Sequence, residues 1–112
     1  MEPDFNDKVF EVVKQIPFGR VTTYGAIARF LGVSKSSRMV GWALNKCSLR
    51  GDYIPAHRVV NRVGLLTGKA AFSSERVMEE LLESEGVRIE NDKVKGFDTL
   101  FWDPQELLKE FE

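Results

Sequence analysis

Three side chains in this 112-residue sequence have chemistry to offer: the single histidine His57, the single cysteine Cys47, and Glu85, a carboxylate set against the pattern of its own segment. At helical spacing Val77, Met78, Leu81 and Leu82 make an apolar stripe, and Glu85 projects near its middle while Glu79, Glu80 and Glu83 point away. A carboxylate aimed at a core is strongly destabilising unless it is paired or hydrogen-bonded. A His57–Glu85 hydrogen bond would satisfy both groups and fix the imidazole tautomer; the alternative is that Glu85 frays outward at the helix end. An oriented imidazole is a general base for a thiol or hydroxyl. Beside it, however, stands Ala56, with a methyl group and no titrating proton, and no serine or cysteine is placed to act as a nucleophile, which argues against a hydrolase. Cys47 falls mid-arc on the apolar side of its helix and reads as a small core residue rather than a nucleophile. One Cys with one His makes neither a disulfide nor an ordinary zinc site, so no metal or cofactor is expected.

The elements that must position these groups can be traced along the chain. Phe5, Val9, Val12, Val13 and Ile16 follow helical spacing, with Asp4 as cap and Pro17 as terminator. A second short helix starts near Thr22 or Thr23, turns Ile27, Ala28 and Leu31 inward and stops at Gly32. Ser34 can cap a third helix running through Cys47. On that helix Met39, Val40, Ala43, Leu44 and Cys47 share one arc; Arg38, Gly41, Trp42, Asn45 and Lys46 share the other. Two short helices joined by a tight turn, the second with such a polar face, suggest a helix-turn-helix, although an amphipathic surface helix has the same pattern. Val59-Val60 is a strand candidate, with a turn over 61–64 and a return along 65–67. A fourth helix begins near Ser73 or Ser74 and ends before Gly86. Residues 87–90 and 93–95 can pair across Asn91-Asp92 as a hairpin. The tail carries Phe97, Leu100, Phe101, Trp102, Leu107, Leu108 and Phe111 and is too apolar to float free. The expected fold is mainly α with short β elements, a winged-helix-like helix-turn-helix in one domain over 1–112, with a core over 5–88 and an extension over 89–112 packed on it.

Composition is that of an ordinary globular protein, 43% apolar and 29% charged. No apolar run approaches the roughly 20 residues that span a bilayer, and the N-terminus has no secretory pattern, so a cytoplasmic protein without membrane contact is expected. The net charge of −1 hides a strong polarity. Residues 20–70 hold nine cations (Arg20, Arg29, Lys35, Arg38, Lys46, Arg50, Arg58, Arg62, Lys69) against Asp52, a net +8, whereas residues 71–112 carry a net −7. Such a division suits a basic face for phosphates and an acidic rear that limits indiscriminate binding; a solvated asymmetry with no ligand would look the same.

Three segments together carry a family resemblance: Thr22-Thr23-Tyr24-Gly25-Ala26-Ile27-Ala28, Arg38-Met39-Val40-Gly41-Trp42-Ala43-Leu44 and Pro55-Ala56-His57-Arg58-Val59-Val60. Gly64, Leu66-Thr67-Gly68 and Glu83-Ser84-Glu85-Gly86 continue it. In order and spacing the chain resembles the C-terminal domain of the O6-alkylguanine-DNA alkyltransferases over roughly residues 5–88. Those enzymes move an alkyl group irreversibly from guanine to a cysteine thiolate, and Ala56 stands at the cysteine position. The chain is most similar to the alkyltransferase-like proteins, short relatives in which tryptophan or alanine replaces that cysteine.

The resemblance implies a monomer that binds double-stranded DNA containing O6-alkylguanine through the minor groove, extrudes the damaged nucleotide and passes the site to nucleotide-excision-repair proteins, with no catalysis. It implies that Arg38 enters the stack the nucleotide has left and that Tyr24 rotates the nucleotide by crowding its phosphate. Gly41 would permit close backbone approach, and Thr23, Ser36, Ser37 and Arg62 would contact the DNA. Tyr24, Leu44, Asn45, Ala56, His57, Leu66 and Lys69 would line the lesion pocket. His57 and Glu85 would persist as a proton relay with no thiol to serve. Two features depart from the relatives' patterns: Lys69-Ala70-Ala71-Phe72 follows Gly68 where the enzymes usually have tyrosine, and alanine stands at position 56 where the alkyltransferase-like proteins more often have tryptophan. Alanine there leaves room for bulky adducts. Two other readings are an alkyltransferase inactivated by replacement of cysteine with alanine at position 56, and a major-groove transcription regulator, which would leave the Pro-Ala-His-Arg-Val-Val segment and Glu85 unexplained.

Overall fold

Two apolar clusters organise the chain in a computed structural model that describes residues 4–32, 36–47 and 50–109. The first gathers Val9, Val12 and Val13 of helix α1 (Phe5–Val13), Ile27 and Ala28 of α2 (Tyr24–Phe30), and Val40, Ala43 and Leu44 of α3 (Ser37–Leu44). The second gathers Val21, Val60, Leu66, Val87 and Val94 around Met78 and Leu82 of α4 (Val77–Ser84). The architecture is mainly helical with short strands, a helix-turn-helix built on α2 and α3.

Local chemistry sets the helix starts. Asp4 accepts a hydrogen bond from the Asp7 amide at 2.9 Å, and the Thr23 hydroxyl accepts one from the Ala26 amide at 3.0 Å. Helix α2 ends at Phe30 with Leu31 as its cap, and Gly32 takes φ +82°, the left-handed conformation that halts a helix. Helix α3 begins after Ser36, whose side chain makes no capping bond; Ser34, expected as the cap, and Lys35 lie outside the described residues. The helix ends at Leu44 rather than Cys47. Its buried stripe is Val40, Ala43 and Leu44, and Met39 is exposed because that narrow stripe leaves it at the margin. Leu81 is exposed on α4 for the same reason, Met78 and Leu82 supplying the inward contacts. Helix α4 starts at Val77 rather than Ser73 or Ser74, since residues 72–76 are taken up in turns.

The strand pairing differs from the expected hairpin. Strand β2 (Val59–Val60) lies parallel to β1 (Thr22–Thr23), with Thr22 opposite Val59 and Thr23 opposite Val60. The chain does reverse at Asn61, whose side-chain oxygen accepts from the amides of Val63 and Leu65. The returning segment then bonds elsewhere: the Leu66 amide donates to Asp92 and the Gly64 carbonyl accepts from Val94. A long-range parallel pair of two residues leaves no periodic trace, so β1 could not be read from the sequence. The 89–94 hairpin forms as expected, β3 (Ile89–Glu90) against β4 (Lys93–Val94), with Asn91 and Asp92 at φ +52° and +65° in the turn.

Beyond the hairpin lie α5 (Phe97–Leu100) and α6 (Glu106–Lys109). The Val21 amide donates to Leu100, the Trp102 amide donates to Val21 at 2.7 Å, and the Arg20 guanidinium donates to the carbonyls of Leu100 and Phe101. Trp102 is 5% exposed and joins the first cluster, with Leu107 packed beside it. Phe111 and the side chain of Leu108 lie outside the described residues. No described helix is long and apolar enough to cross a membrane. Trp102→Ala is expected to lower unfolding stability in urea by about 3–5 kcal/mol; a loss under about 1 kcal/mol would mean that the tail does not hold the first cluster together.

Candidate functional site

Position 56 is aimed by a compact turn. Pro55 sits at φ −77° and ψ 63°, and the Ala56 amide donates to the Ile54 carbonyl at 2.7 Å, the geometry of an inverse γ-turn. One turn of 3-10 helix over Ala56–Arg58 follows and runs into β2. Because β2 is parallel to β1, that turn lies beside the segment entering β1, where Gly19 and Arg20 are found.

Glu85 is drawn into this junction. It lies just past the end of α4, yet its side chain is only 5% exposed. Its carboxylate accepts from the Gly19 amide at 2.8 Å, from Nη2 of Arg58 at 2.8 Å and from Nε of Arg58 at 3.0 Å, and it bonds Nε2 of His57 at 2.6 Å. Arg58 also donates to the Ile16 carbonyl at 3.0 Å and faces the Phe18 ring. Burial pushes the Glu85 carboxyl up, but the Arg58, Gly19 and His57 bonds outweigh it and hold its pKa at about 2. Burial pushes His57 below its ordinary value despite the carboxylate beside it. An ionised Glu85 only accepts, so Nε2 of His57 carries the proton and Nδ1 keeps a lone pair. That tautomer suits a base, and its sequence neighbour at position 56 is a methyl group. Arg58 was counted among the basic residues, but its role here is internal.

Beside Ala56 is a partly enclosed, largely apolar cavity of about 240 Å³. Tyr24, Gly41, Leu44, Asn45, Cys47 and Ala56 form one part of its wall; Gly68, Ala71, Phe72 and Ser73 form the rest. Of the expected pocket residues, Tyr24, Leu44, Asn45 and Ala56 line this cavity. His57 lies among the buried residues behind Ala56, Leu66 is taken into the second cluster, and the Lys69 ammonium turns to Asp92 at 2.6 Å. Cys47 packs on the first cluster and also reaches the cavity wall, where burial raises its thiol. Tyr24 is half-buried, and burial raises its phenol while a bond with Thr67 opposes the shift. A Cβ on residue 68 would come within 2.7 Å of the Tyr24 hydroxyl, so glycine is required for the ring to stand there.

The cavity adjoins an open groove of about 350 Å³ that shares Tyr24, Gly41, Asn45 and Gly68 with it and adds Ser37, Arg38 and Trp42. Arg38 and Trp42 on α3, and Asn45 and Lys46 just past its end, are exposed, and Gly41 faces the Tyr24 ring. A second cleft, about 250 Å³, brings Thr23, Gly25 and Arg62 together with Arg29, marked in the sequence only as a cation, and with Asp98. Ser36 lies at the start of α3. The +8 stretch is therefore smaller on the surface than in the sequence. Arg20 and Arg58 are committed internally, Arg50 is tied to Asp7, Glu11 and Asp52, and Lys69 to Asp92. Arg29, Arg38, Lys46 and Arg62 make no ion pair among the described residues. No metal-holding group of three His, Cys, Asp or Glu side chains occurs among them either.

The relay gives stability a definite pH dependence. A Glu85 carboxyl depressed to about 2 stabilises the fold fully above its unfolded value, and that contribution is lost as pH falls through the folded one. His57 is depressed below 6.5, so on acidification the unfolded chain takes up its proton first and the fold is weakened again. The thermal midpoint should fall in two stages, below about pH 6.5 and below about pH 4.5, with His57→Gln removing the upper stage. Glu85→Gln should flatten the lower stage and cost about 3–5 kcal/mol by leaving Arg58 buried and unpaired. A midpoint that stays level from about pH 7 to about pH 3 would contradict the assignment.

Residues 4–87 match the family described as 6-O-methylguanine DNA methyltransferase, DNA binding domain. The chain is 37% identical over 86 residues to Alkyltransferase-like protein 1 of Schizosaccharomyces pombe, covering 77% of this chain and 79% of that protein. It is 41% identical over 83 residues to a methylated-DNA–protein-cysteine methyltransferase of Methanosarcina acetivorans, covering 74% of this chain and 51% of the relative, so it spans about half that enzyme's length. The crystal structure of S. pombe Atl1 in complex with damaged DNA containing O6-carboxymethylguanine superposes with a TM-score of 0.76 at 34% identity, covering 91% of this chain and 98% of that one. With a family match over three-quarters of its length, and a fold shared with a protein that has been seen on damaged DNA, the chain belongs to the family of the 6-O-methylguanine DNA methyltransferase DNA-binding domain, and within it to the alkyltransferase-like type.

Proposed function

We propose that this protein is a non-catalytic sensor of O6-alkylguanine in duplex DNA. It docks α2 and α3 in the minor groove, swings the modified nucleotide into the cavity beside Ala56, and leaves the site marked for nucleotide-excision repair. The observation that carries this reading is a partly enclosed, largely apolar cavity of about 240 Å³ bounded by a methyl group at position 56, beside an intact His57–Glu85 pair. The damaged DNA bound by S. pombe Atl1 supports the choice of ligand.

Each step has an energetic basis. Extruding a base costs a few kcal/mol, and less where pairing is already weak, as at O6-alkylguanine. The apolar wall then adds roughly 0.8 kcal/mol per buried methylene of the alkyl group. Arg38, exposed at the groove, fills the vacated stack, and Tyr24 crowds the phosphate. Gly41 admits the backbone, and Ser36, Ser37 and Arg62 hold the phosphates on either side, while Thr23, buried with its hydroxyl capping α2, acts only by fixing the start of that helix. Lys69 lies next to the cavity with its ammonium on Asp92, a solvent-exposed pair that contributes little to stability, so it is readily exchanged for an adduct. With no nucleophile at position 56 no bond is made or broken, and the complex persists.

A duplex containing O6-methylguanine should bind more tightly than its unmodified counterpart in a fluorescence titration at fixed salt; equal affinities would remove the lesion-reading claim. Arg38→Ala should weaken binding and lesion preference together, whereas Lys46→Ala should mainly reduce the salt slope by about one. The intact His57–Glu85 pair also favours a second reading, an alkyltransferase silenced at position 56. Ala56→Cys separates the two: efficient alkyl transfer from methylated DNA supports the silenced enzyme, and failure to transfer supports the sensor.

A further inference from the structure

The roles above make no use of Trp42, although it is one of the most exposed large apolar side chains, 57% accessible on a face otherwise made of Arg38, Asn45 and Lys46. The chain's other tryptophan, Trp102, is 5% exposed and has packing to explain it. Trp42 has no such contact role in either cluster, and an indole left in water on a cationic helix face forgoes a large burial energy. It lines the same open groove as Arg38. It does not line the enclosed cavity, which the groove adjoins through Tyr24, Gly41, Asn45 and Gly68.

We infer that Trp42 is a DNA-anchoring residue, which packs its indole against the deoxyribose faces of the minor groove next to the point where Arg38 enters. The inference rests on the sensor reading and deepens it. Arg38 and Trp42 are four residues apart on α3, so they share a face and are offset by about 6 Å along the helix axis. That offset is nearly two base-pair steps at roughly 3.4 Å per step along a strand. With Arg38 in the vacated stack, Trp42 falls on the neighbouring sugars, which form the apolar walls of the groove. Its occupant is DNA rather than a protein helix because α3 carries no acidic residue, and the surrounding charges, Arg38 and Lys46, are both positive. Minor-groove proteins frequently combine cations with apolar side chains, most often as wedges between base steps. Since Trp42 stands outside the enclosed cavity, its contribution is to grip and not to lesion choice.

The test compares wild type, Trp42→Ala and Trp42→Phe on a dye-labelled duplex carrying O6-methylguanine and on its unmodified counterpart, across a salt series. Trp42→Ala should weaken binding to both duplexes by about tenfold, with the ratio between them and the salt slope unchanged. Trp42→Phe should recover most of the loss. Intrinsic emission supplies an independent readout: wild-type fluorescence should change on binding, and Trp42→Phe, which retains only buried Trp102, should show little change. Wild-type affinity in Trp42→Ala would overturn the inference, as would a fall in the salt slope, which signals a phosphate contact, or a collapse of the lesion ratio, which places Trp42 in lesion reading. If wild type itself shows no preference for the modified duplex, the sensor reading fails. If that preference holds while Trp42→Ala binds as wild type does, only the anchoring role fails.

Discussion

The carboxylate of Glu85 is the constraint on which the rest of the site depends. Its side chain is withdrawn almost entirely from water and takes donors from the Gly19 turn and from the His57–Arg58 turn, while being supplied by the end of α4. Three segments far apart in sequence are thereby tied to one charge, and releasing any of them would leave part of that charge unsatisfied in a low-dielectric interior. The parallel pairing of β1 with β2 carries the same constraint forward, because α2 starts directly after β1. Tyr24 on α2 and Ala56 before β2 therefore face one cavity from fixed positions. In the proposed sensor the His57–Glu85 pair serves as scaffolding beside a position that has no nucleophile.

Much of this was legible in the residues, and the failures have physical causes. Asp4 and Thr23 announced their helices because capping is local chemistry, and Asn91-Asp92 announced a hairpin because few residue pairs accept positive φ. The polar arc of α3 was correct at Arg38, Trp42, Asn45 and Lys46, since a 100° step per residue separates them cleanly from Val40, Ala43 and Leu44. The inward turn of Glu85 could be suspected from its place on an apolar stripe. Its partnership with Arg58 could not, because a cation within a basic stretch looks exposed until a buried acid claims it. Strand β1 and the cleft containing Arg29 depend on contacts between distant segments, which periodicity does not record. The assignment of Leu66 and Lys69 to the pocket wall came from the family pattern, whereas here the second cluster takes Leu66 and Asp92 takes the Lys69 ammonium.

The distribution of charge fits recognition without chemistry. Internal pairing removes four of the cations of residues 20–70 from general phosphate binding, leaving Arg29, Arg38, Lys46 and Arg62 without an ion pair among the described residues. Arg38 lines the groove, Arg29 and Arg62 line the separate cleft and Lys46 is exposed just past α3, while the exposed Glu80 and Glu83 belong to α4. A modest, localised positive field draws the protein to duplex DNA without holding it tightly at every site. In the proposed sensor, selectivity comes from the lower cost of extruding a poorly paired base and from the fit of its alkyl group against an apolar wall.

The most direct measurement is the O6-methylguanine content of DNA captured by the protein from a mixture of modified and unmodified duplexes, determined by nucleoside mass spectrometry after saturating incubation. The expected result is a retained fraction enriched in the lesion over the input, with the total amount of O6-methylguanine unchanged. A retained fraction no richer than the input would contradict lesion recognition, and a fall in the total would contradict the absence of repair chemistry at Ala56.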